Sequence, residues 1–144
     1  METAEFKEIV EEIVISNGMT KRRSCYYMES NELMVVLGLQ KSSYSSSYYF
    51  NLGYIIKDLN DKQYPKYTDG NVRLRFEFEL NGKYTDVVDI NEVLKDELAD
   101  ELEKNIKYYA SPITSIKALK NLIKEQPVLL YQTTLVTKQY LQIE

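Results

Sequence analysis

The sequence predicts an α+β fold: an N-terminal helix, an antiparallel sheet of about four strands, and C-terminal helices packed on one face of the sheet as a two-layer sandwich. Three observations predict it. Apolar residues recur at helical spacing near the start of the chain, strand-like segments fill the region from residue 25 to residue 80, and helical spacing returns after residue 89. No internal repeat or linker interrupts this order, so we expect one domain spanning residues 1–144.

The first helix is predicted by an apolar stripe at positions i, i+3, i+4, i+7 and i+8, which consists of Phe6, Ile9, Val10, Ile13 and Val14. Glutamates occupy most of the opposite side. Asn17-Gly18 then provides a stop signal, because these residues tolerate the left-handed conformation that ends many helices.

The strands are predicted by apolar runs between turn signals. Segment 25–28 and segment 33–41 form a hairpin, and 33–41 is apolar at both parities, which is typical of a central strand. Segment 48–56 follows a Ser-rich loop, and 57–70 is a connection that can hold a short helical turn. The clearest strand is 72–80, where apolar residues alternate with Arg73, Arg75, Glu77 and Glu79, so one face is expected in the core and the other in water.

After the Asn81-Gly82 turn, segment 83–88 either adds a short strand or leads out of the sheet. Helical spacing is then carried by Val93, Leu94, Leu98, Leu102 and Ile106. Thr114 or Ser115 can cap a further helix. The tail beyond Pro127 has near-helical spacing and is predicted to be a helix.

The charge and hydropathy of the chain limit the classes of partner that we expect. A net charge of −4 gives no electrostatic footprint for nucleic acid, so we expect no nucleic-acid partner. The start of the chain lacks the basic and apolar regions of a signal peptide, and no apolar run is long enough to span a membrane. We therefore expect a cytoplasmic protein without a membrane partner.

The sequence contains no histidine, which excludes several classes of catalytic and metal site. Without it, this chain cannot supply Ser-His-Asp or Cys-His catalysis or a His-containing zinc site. Its single cysteine, Cys25, excludes intrachain disulfides and Cys-rich metal sites, and we expect it to be buried. The acidic residues around Asp89 are expected from helix capping. We therefore assign no catalytic residue, no metal site and no cofactor.

A family resemblance is carried by the first half of the chain. The order is a helix, an Asn-Gly break, a basic strand start, the run Val-Val-Leu-Gly-Leu-Gln-Lys-Ser-Ser at 35–43, and Phe-Asn-Leu-Gly at 50–53. This order resembles the DUF4304 family of small bacterial domains of unknown function. The resemblance implies the fold and an intracellular bacterial setting, and genes of this kind can resemble those of immunity proteins that neutralise toxins.

The candidate binding residues lie on the polar face of the predicted sheet and in the Ser-rich loop. If the phenylalanines of strand 72–80 point into the core, its charged residues point away from it, and two glycines make that face flat or concave. Arginine can hold a carboxylate or phosphate there in bidentate fashion. The candidates are Gln40, Lys41, Ser42, Asn51, Arg73, Arg75 and Glu77. The alternative is a solvated face of cross-strand charge pairs.

Three functional hypotheses follow from these residues. The first is a non-enzymatic protein-binding module, of which an immunity-like inhibitor is a narrower form. It is suggested by the 13 tyrosines and by the negative net charge of the chain. The second is a small-ligand or phosphate-ester site on the polar face, which could be catalytic with Glu77 as base. The third is a structural or homodimeric role, and the sequence does not predict the oligomeric state.

Overall fold

The computed structural model describes residues 1–143 and confirms the α+β class, with a mixed fold whose sheet is open. The helices are α1 Thr3–Ser16, α2 Lys95–Tyr109, α3 Ile116–Glu125 and α4 Leu135–Leu141. Helix α1 ends at Asn17, and Gly18 follows with a φ of 93°, which confirms the predicted stop. Ser115, one of the two predicted caps, accepts a hydrogen bond from the backbone N–H of Ala118 at the start of α3.

All strand pairs of the fold are antiparallel. The strands are β1 Thr20–Arg22, β2 Cys25–Glu29, β3 Leu33–Lys41, β4 Ser47–Ile56, β5 Val72–Arg75, β6 Phe78–Leu80, β7 Lys83–Thr85 and β8 Val87–Asp89. The strand order of the main sheet is β1-β2-β3-β4-β5. Strand β8 pairs with the beginning of β4, and β5 pairs with a later part of β4. Strands β6 and β7 form a separate hairpin. The sheet therefore has more strands than the four expected, because short strands from 20–22 and 87–89 join it.

The main core lies between the sheet and the helices. Strand β3 contributes Leu33, Val35 and Leu37 to it, and β4 contributes its even-numbered residues. From the helical side, Val10 of α1 and Leu98 of α2 are fully buried against them. Since β3 is buried on both faces over its first half, its predicted central position is confirmed.

The prediction of one continuous strand over 72–80 is wrong. Strand β5 ends at Arg75, one further hydrogen bond joins the Phe76 N–H to the Phe50 carbonyl oxygen of β4, and both Phe76 and Phe78 enter the core. The ring of Phe78 packs edge-on against that of Phe50, with 5.0 Å between the centroids. Residues 76 and 78 have the same strand parity, so both rings face the core, and the hairpin β6–β7 follows as a separate two-stranded sheet.

The second face of the sheet is half covered, where the sequence predicts either a polar binding surface or a solvated face. A small apolar cluster of Cys25, Met34, Val36 and Ile55 lies there, so the predicted burial of the cysteine is confirmed. The 57–70 connection crosses this cluster, and its predicted helical turn is the 3-10 turn Tyr67–Asp69. The remaining part of this face carries the polar residues and stays open.

The C-terminal region differs in detail from the prediction. A 3-10 turn at Pro127–Gln132 precedes α4, so the tail is helical only in part. Leu94, expected on the apolar stripe of the helix, precedes α2 and is 68% exposed. Within the described residues, no helix combines the length and the apolar character needed to cross a membrane.

Candidate functional site

The polar part of the second face is organised around one arginine. The Arg75 Nε–H donates to Asn51 Oδ1 at 2.9 Å, and its Nη2 donates to Gln40 Oε1 at 3.2 Å. Its Nη1 lies 3.4 Å from a carboxylate oxygen of Asp86, and its guanidinium stacks 4.0 Å from the ring centroid of Tyr49. Asn51 Nδ2 also donates to Gln40 Oε1 at 2.8 Å. We call these five residues the Arg75 cluster.

Strand register brings the Arg75 cluster together. Asn51 is opposite Arg75 across the β4–β5 pair, and Gln40 is opposite Tyr49 across the β3–β4 pair. Because side chains alternate between faces, these four residues point to the same side of the sheet. Asn51 is only 8% exposed, and its side chain forms hydrogen bonds within the cluster. The cluster is a connected polar network in which each of the three arginine nitrogens already has an acceptor.

Arg73 has a different environment from Arg75. It lies opposite Gly53 on the same face and is exposed, and its side chain has no hydrogen-bond or ion-pair partner among residues 1–143. It lines an open basin of about 630 Å³. We call this the sheet basin, and its walls also include Gln40, Asn51, Tyr67, Thr68, Arg75, Asp86 and Gln132. An exposed guanidinium in such a basin can bind an anion.

The other three sequence candidates lie outside the sheet basin. Lys41 ends β3 on the opposite parity to Gln40, and its Nζ is 3.5 Å from the Ser45 carbonyl oxygen. The Ser42 hydroxyl accepts a hydrogen bond from the Tyr44 N–H within the loop. Glu77 lies between β5 and β6 and lines a second groove. The structure thus brings Gln40, Asn51, Arg73 and Arg75 together, without the remaining candidates.

The second groove runs beside β5 and has a volume of about 590 Å³. We call it the edge groove. Its walls come from β5, the β6–β7 hairpin, α2 and the Pro127–Gln132 turn, through residues that include Arg73, Glu77, Tyr84, Glu101, Lys104, Tyr108, Val128 and Gln132. Tyr84 is 76% exposed and Val128 is 63% exposed, so the groove offers apolar surface to solvent. Its rim carries charges of both signs.

Helix α2 fixes one wall of the edge groove. The Glu101 carboxylate accepts hydrogen bonds from the Glu79 N–H at 2.7 Å and from the Lys104 ammonium at 2.8 Å. Burial raises the pKa of Glu101, but these two hydrogen bonds outweigh it and the pKa lies below its usual value. The Asn105 amide donates to the Glu77 carbonyl oxygen at 2.9 Å. These contacts hold the hairpin against the helix.

The described part of the chain contains no cluster of metal-ligating side chains. Within residues 1–143, no three His, Cys, Asp or Glu side chains come close enough together to hold a metal ion. The acidic residues near α2 serve the backbone instead: Asp89 Oδ1 accepts the N–H of Asn91, and Glu97 accepts the N–H of Asn81.

Comparison with known families settles the classification. The model of the DUF4304 family, a domain of unknown function, matches residues 10–116, which is more than half of the chain. The chain belongs to the DUF4304 family. Searches of curated proteins and of solved structures found no match. The matched region of this DUF4304 domain contains the whole sheet and the Arg75 cluster, whereas Val128 and Gln132 of the edge groove follow it.

Sequence reasoning missed several residues of the candidate site. Asp86 is one of the acidic residues near Asp89 that the sequence predicts to serve a helix start, whereas it contacts Arg75. Tyr67 lies in the 57–70 connection, where no periodicity indicates which face the chain crosses. Tyr108 and Val128 become neighbours through the packing of α2 and the C-terminal turn. For Tyr67, the pair of glycines opposite it was the available signal.

Proposed function

We propose that this DUF4304 domain is a non-enzymatic protein-binding module and that the edge groove is its binding surface. The exposed apolar side chains of the groove support this function most directly. Tyr84, Tyr108 and Val128 are 76%, 41% and 63% exposed, and they lie in one groove with charged residues at its rim. Exposed tyrosine and aliphatic surface surrounded by charges is typical of protein interfaces.

The open edge of β5 also supports a polypeptide partner. β5 pairs with β4 on one side, and on the other side the described residues contribute an isolated bridge between Val72 and Thr133. The Phe76 N–H donates to the Phe50 carbonyl oxygen, so even-numbered residues direct their backbone groups toward β4. The bridge, with the Thr134 N–H bonded to the Asn71 carbonyl oxygen, covers the beginning of this edge. The backbone groups of Arg75 remain directed toward the edge groove, where an extended segment can pair with them.

The organisation of the Arg75 cluster favours binding over catalysis. Three nitrogens of Arg75 face Asn51, Gln40 and Asp86 within the protein. A guanidinium engaged in this way positions strands β3, β4 and β5 relative to one another and has less capacity left for a reacting group. The cluster therefore acts as a support beneath the edge that β5 presents.

A comparison of two matched variants tests the function. The tagged domain is used to capture proteins from the cells that express it, together with Val128→Glu in the edge groove and Val136→Glu outside it. Val136 is 56% exposed, so both variants place a carboxylate on exposed apolar surface. We expect one protein in stoichiometric amount with the wild type and with Val136→Glu, and its loss with Val128→Glu.

Calorimetric titration of the purified domain and variants with the purified partner then gives the affinity of the partner for each. A partner retained equally by both variants would contradict the edge groove as its site. The absence of any stoichiometric partner, together with turnover of a small substrate by the purified domain, would contradict the binding function itself.

The environment of Arg73 favours a second candidate function, the binding of a small anion in the sheet basin. Its guanidinium is exposed beside Thr68 and Gln132, which can donate further hydrogen bonds. Calorimetric titration with inorganic phosphate and with citrate tests this, with Arg73→Ala compared against Lys83→Ala. Binding that disappears in Arg73→Ala alone supports the anion site, and equal titration of both variants contradicts it.

A further inference from the structure

A third groove lies between α3 and the C-terminal segment, away from the sheet. It has a volume of about 670 Å³, and its apolar lining comes from Ile116, Ile123, Leu130 and Ile143. We call it the lysine groove, because three lysines of α3 also line it. It is separate from the edge groove: Pro127 lines the lysine groove, whereas the next residue, Val128, lines the edge groove.

The lysines share one side of α3 without compensation. Lys117, Lys120 and Lys124 are exposed and lie at i, i+3 and i+7, and none of them forms an ion pair with the described residues. Like charges at these spacings destabilise a helix. Two lysines of α2 differ from them, because Lys104 and Lys107 pair with Glu101 and Glu103.

We propose that the lysine groove binds an acidic segment of a partner protein, with apolar side chains seated in the groove and carboxylates facing the three lysines. Charge complementarity selects this partner: the lysines form a local positive row on a chain whose net charge is −4. The apolar lining adds affinity that a purely acidic chain cannot use. This surface is additional to the edge groove and its partner.

The shape of the surface favours a peptide over a lipid membrane. The apolar side chains of α3 point into the protein, where Leu119, Leu122 and Ile123 are at most 4% exposed. Binding to a bilayer surface requires an apolar helix face that protrudes. A recessed groove instead receives side chains one at a time, as helical or extended peptides present them.

Selection from a library of random dodecapeptides displayed on phage tests the proposal, with the full chain as target. Peptides that survive are measured by fluorescence polarisation against the wild type, the Lys120→Glu, Lys124→Glu variant and a matched Lys83→Glu, Lys95→Glu variant with the same change of net charge. Circular dichroism verifies that each variant is folded. A neutral Lys120→Gln, Lys124→Gln variant serves if charge reversal unfolds α3.

We expect enriched peptides that combine Asp or Glu with apolar residues, and binding that weakens with added salt. Their affinity should fall at least about tenfold in the α3 variant and stay unchanged in the matched variant. It should also stay unchanged in Val128→Glu, which separates this site from the edge groove.

Other occupants of the lysine groove give different results. Failure to enrich acidic peptides, or equal binding by the α3 variant, would overturn the proposal. So would lysine-dependent sedimentation with phosphatidylserine vesicles in the absence of peptide binding, because that result assigns the lysines to a membrane. Dimerisation of the free chain that Lys120→Glu, Lys124→Glu abolishes would overturn it in favour of a second copy.

Discussion

The ring of Tyr67 lies directly on Gly38 and occupies the space that a Cβ atom at this position would need. The Tyr67 backbone makes the same close approach to Gly53, where a Cβ would lie 2.5 Å from the Tyr67 carbonyl oxygen. The glycines of β3 and β4 thus admit the 57–70 connection to the sheet face. That connection contributes Tyr67 and Thr68 to the wall of the sheet basin, so the two glycines allow this wall to lie against the sheet.

Alanine at the two glycines should have different consequences. Gly53→Ala meets the backbone of Tyr67, which cannot rotate away, so we expect a loss of about 1–3 kcal/mol in the free energy of unfolding. Gly38→Ala meets the ring, which can swing off the sheet at a smaller cost. Urea denaturation monitored by circular dichroism measures both values.

The Tyr67→Ala background provides the control for these two variants. In that background Gly38→Ala should cost nothing, or should stabilise the fold by about 0.4–1 kcal/mol, because alanine restricts the unfolded chain. Gly53→Ala should remain destabilising there. An undiminished cost of Gly38→Ala without the Tyr67 ring would show that the close approach is not what selects glycine.

The sequence was sufficient for elements with a clear period and insufficient for those set by tertiary packing. The stripe of α1 and the two-sided apolar pattern of β3 predicted both elements and their burial. The break after Arg75 was hidden, because Phe76 and Phe78 keep strand alternation in the sequence while they pack into one core. The polar face could be placed from strand parity, which put Gln40, Asn51, Arg73 and Arg75 together.

Strand parity could not reveal that another segment of the chain covers part of that face. The small apolar cluster around Val36 is shielded from solvent by the 57–70 connection, whose sequence has no apolar period. The edge groove and the lysine groove escaped sequence analysis for a related reason. Their walls join residues far apart in the chain, such as Tyr84 with Val128 and Ile116 with Ile143.

The Arg75 cluster should contribute to stability mainly through its hydrogen bonds to side-chain amides. Arg75→Ala leaves the largely buried Asn51 without its guanidinium donor, so we expect a loss of about 1–2 kcal/mol in the free energy of unfolding. Asp86→Asn should cost less than about 0.5 kcal/mol, since the Arg75 and Asp86 side chains are 39% and 48% exposed. Urea denaturation at low and high salt distinguishes them, and a larger effect of Asp86→Asn than of Arg75→Ala would contradict this ranking.

Asn71 should be more important than its position between two strands suggests. Its side-chain oxygen accepts the backbone N–H of Ile56 at 2.9 Å in a buried environment. Asn71→Ala leaves this N–H without a partner, and we expect a loss of about 1–3 kcal/mol in the free energy of unfolding. Asn60→Ala is the matched control, because Asn60 also accepts a backbone N–H, from Lys62, but at an exposed site. Equal costs in urea denaturation would contradict a special role for the buried bond.

Tyr54 should make the fold sensitive to alkaline pH. Burial raises the pKa of its phenol well above the ordinary value of 10.0, and the hydroxyl donates to the Tyr109 carbonyl oxygen. The folded state holds this proton while the unfolded state releases it near the ordinary pKa, so stability is complete below about pH 10 and falls as the pH rises above it. Tyr54→Phe loses the hydrogen bond, at about 1 kcal/mol, but also the titrating group. In urea denaturation the advantage of the wild type over Tyr54→Phe should therefore shrink above that pH, and parallel pH profiles of the two proteins would show that Tyr54 ionisation does not govern the alkaline transition.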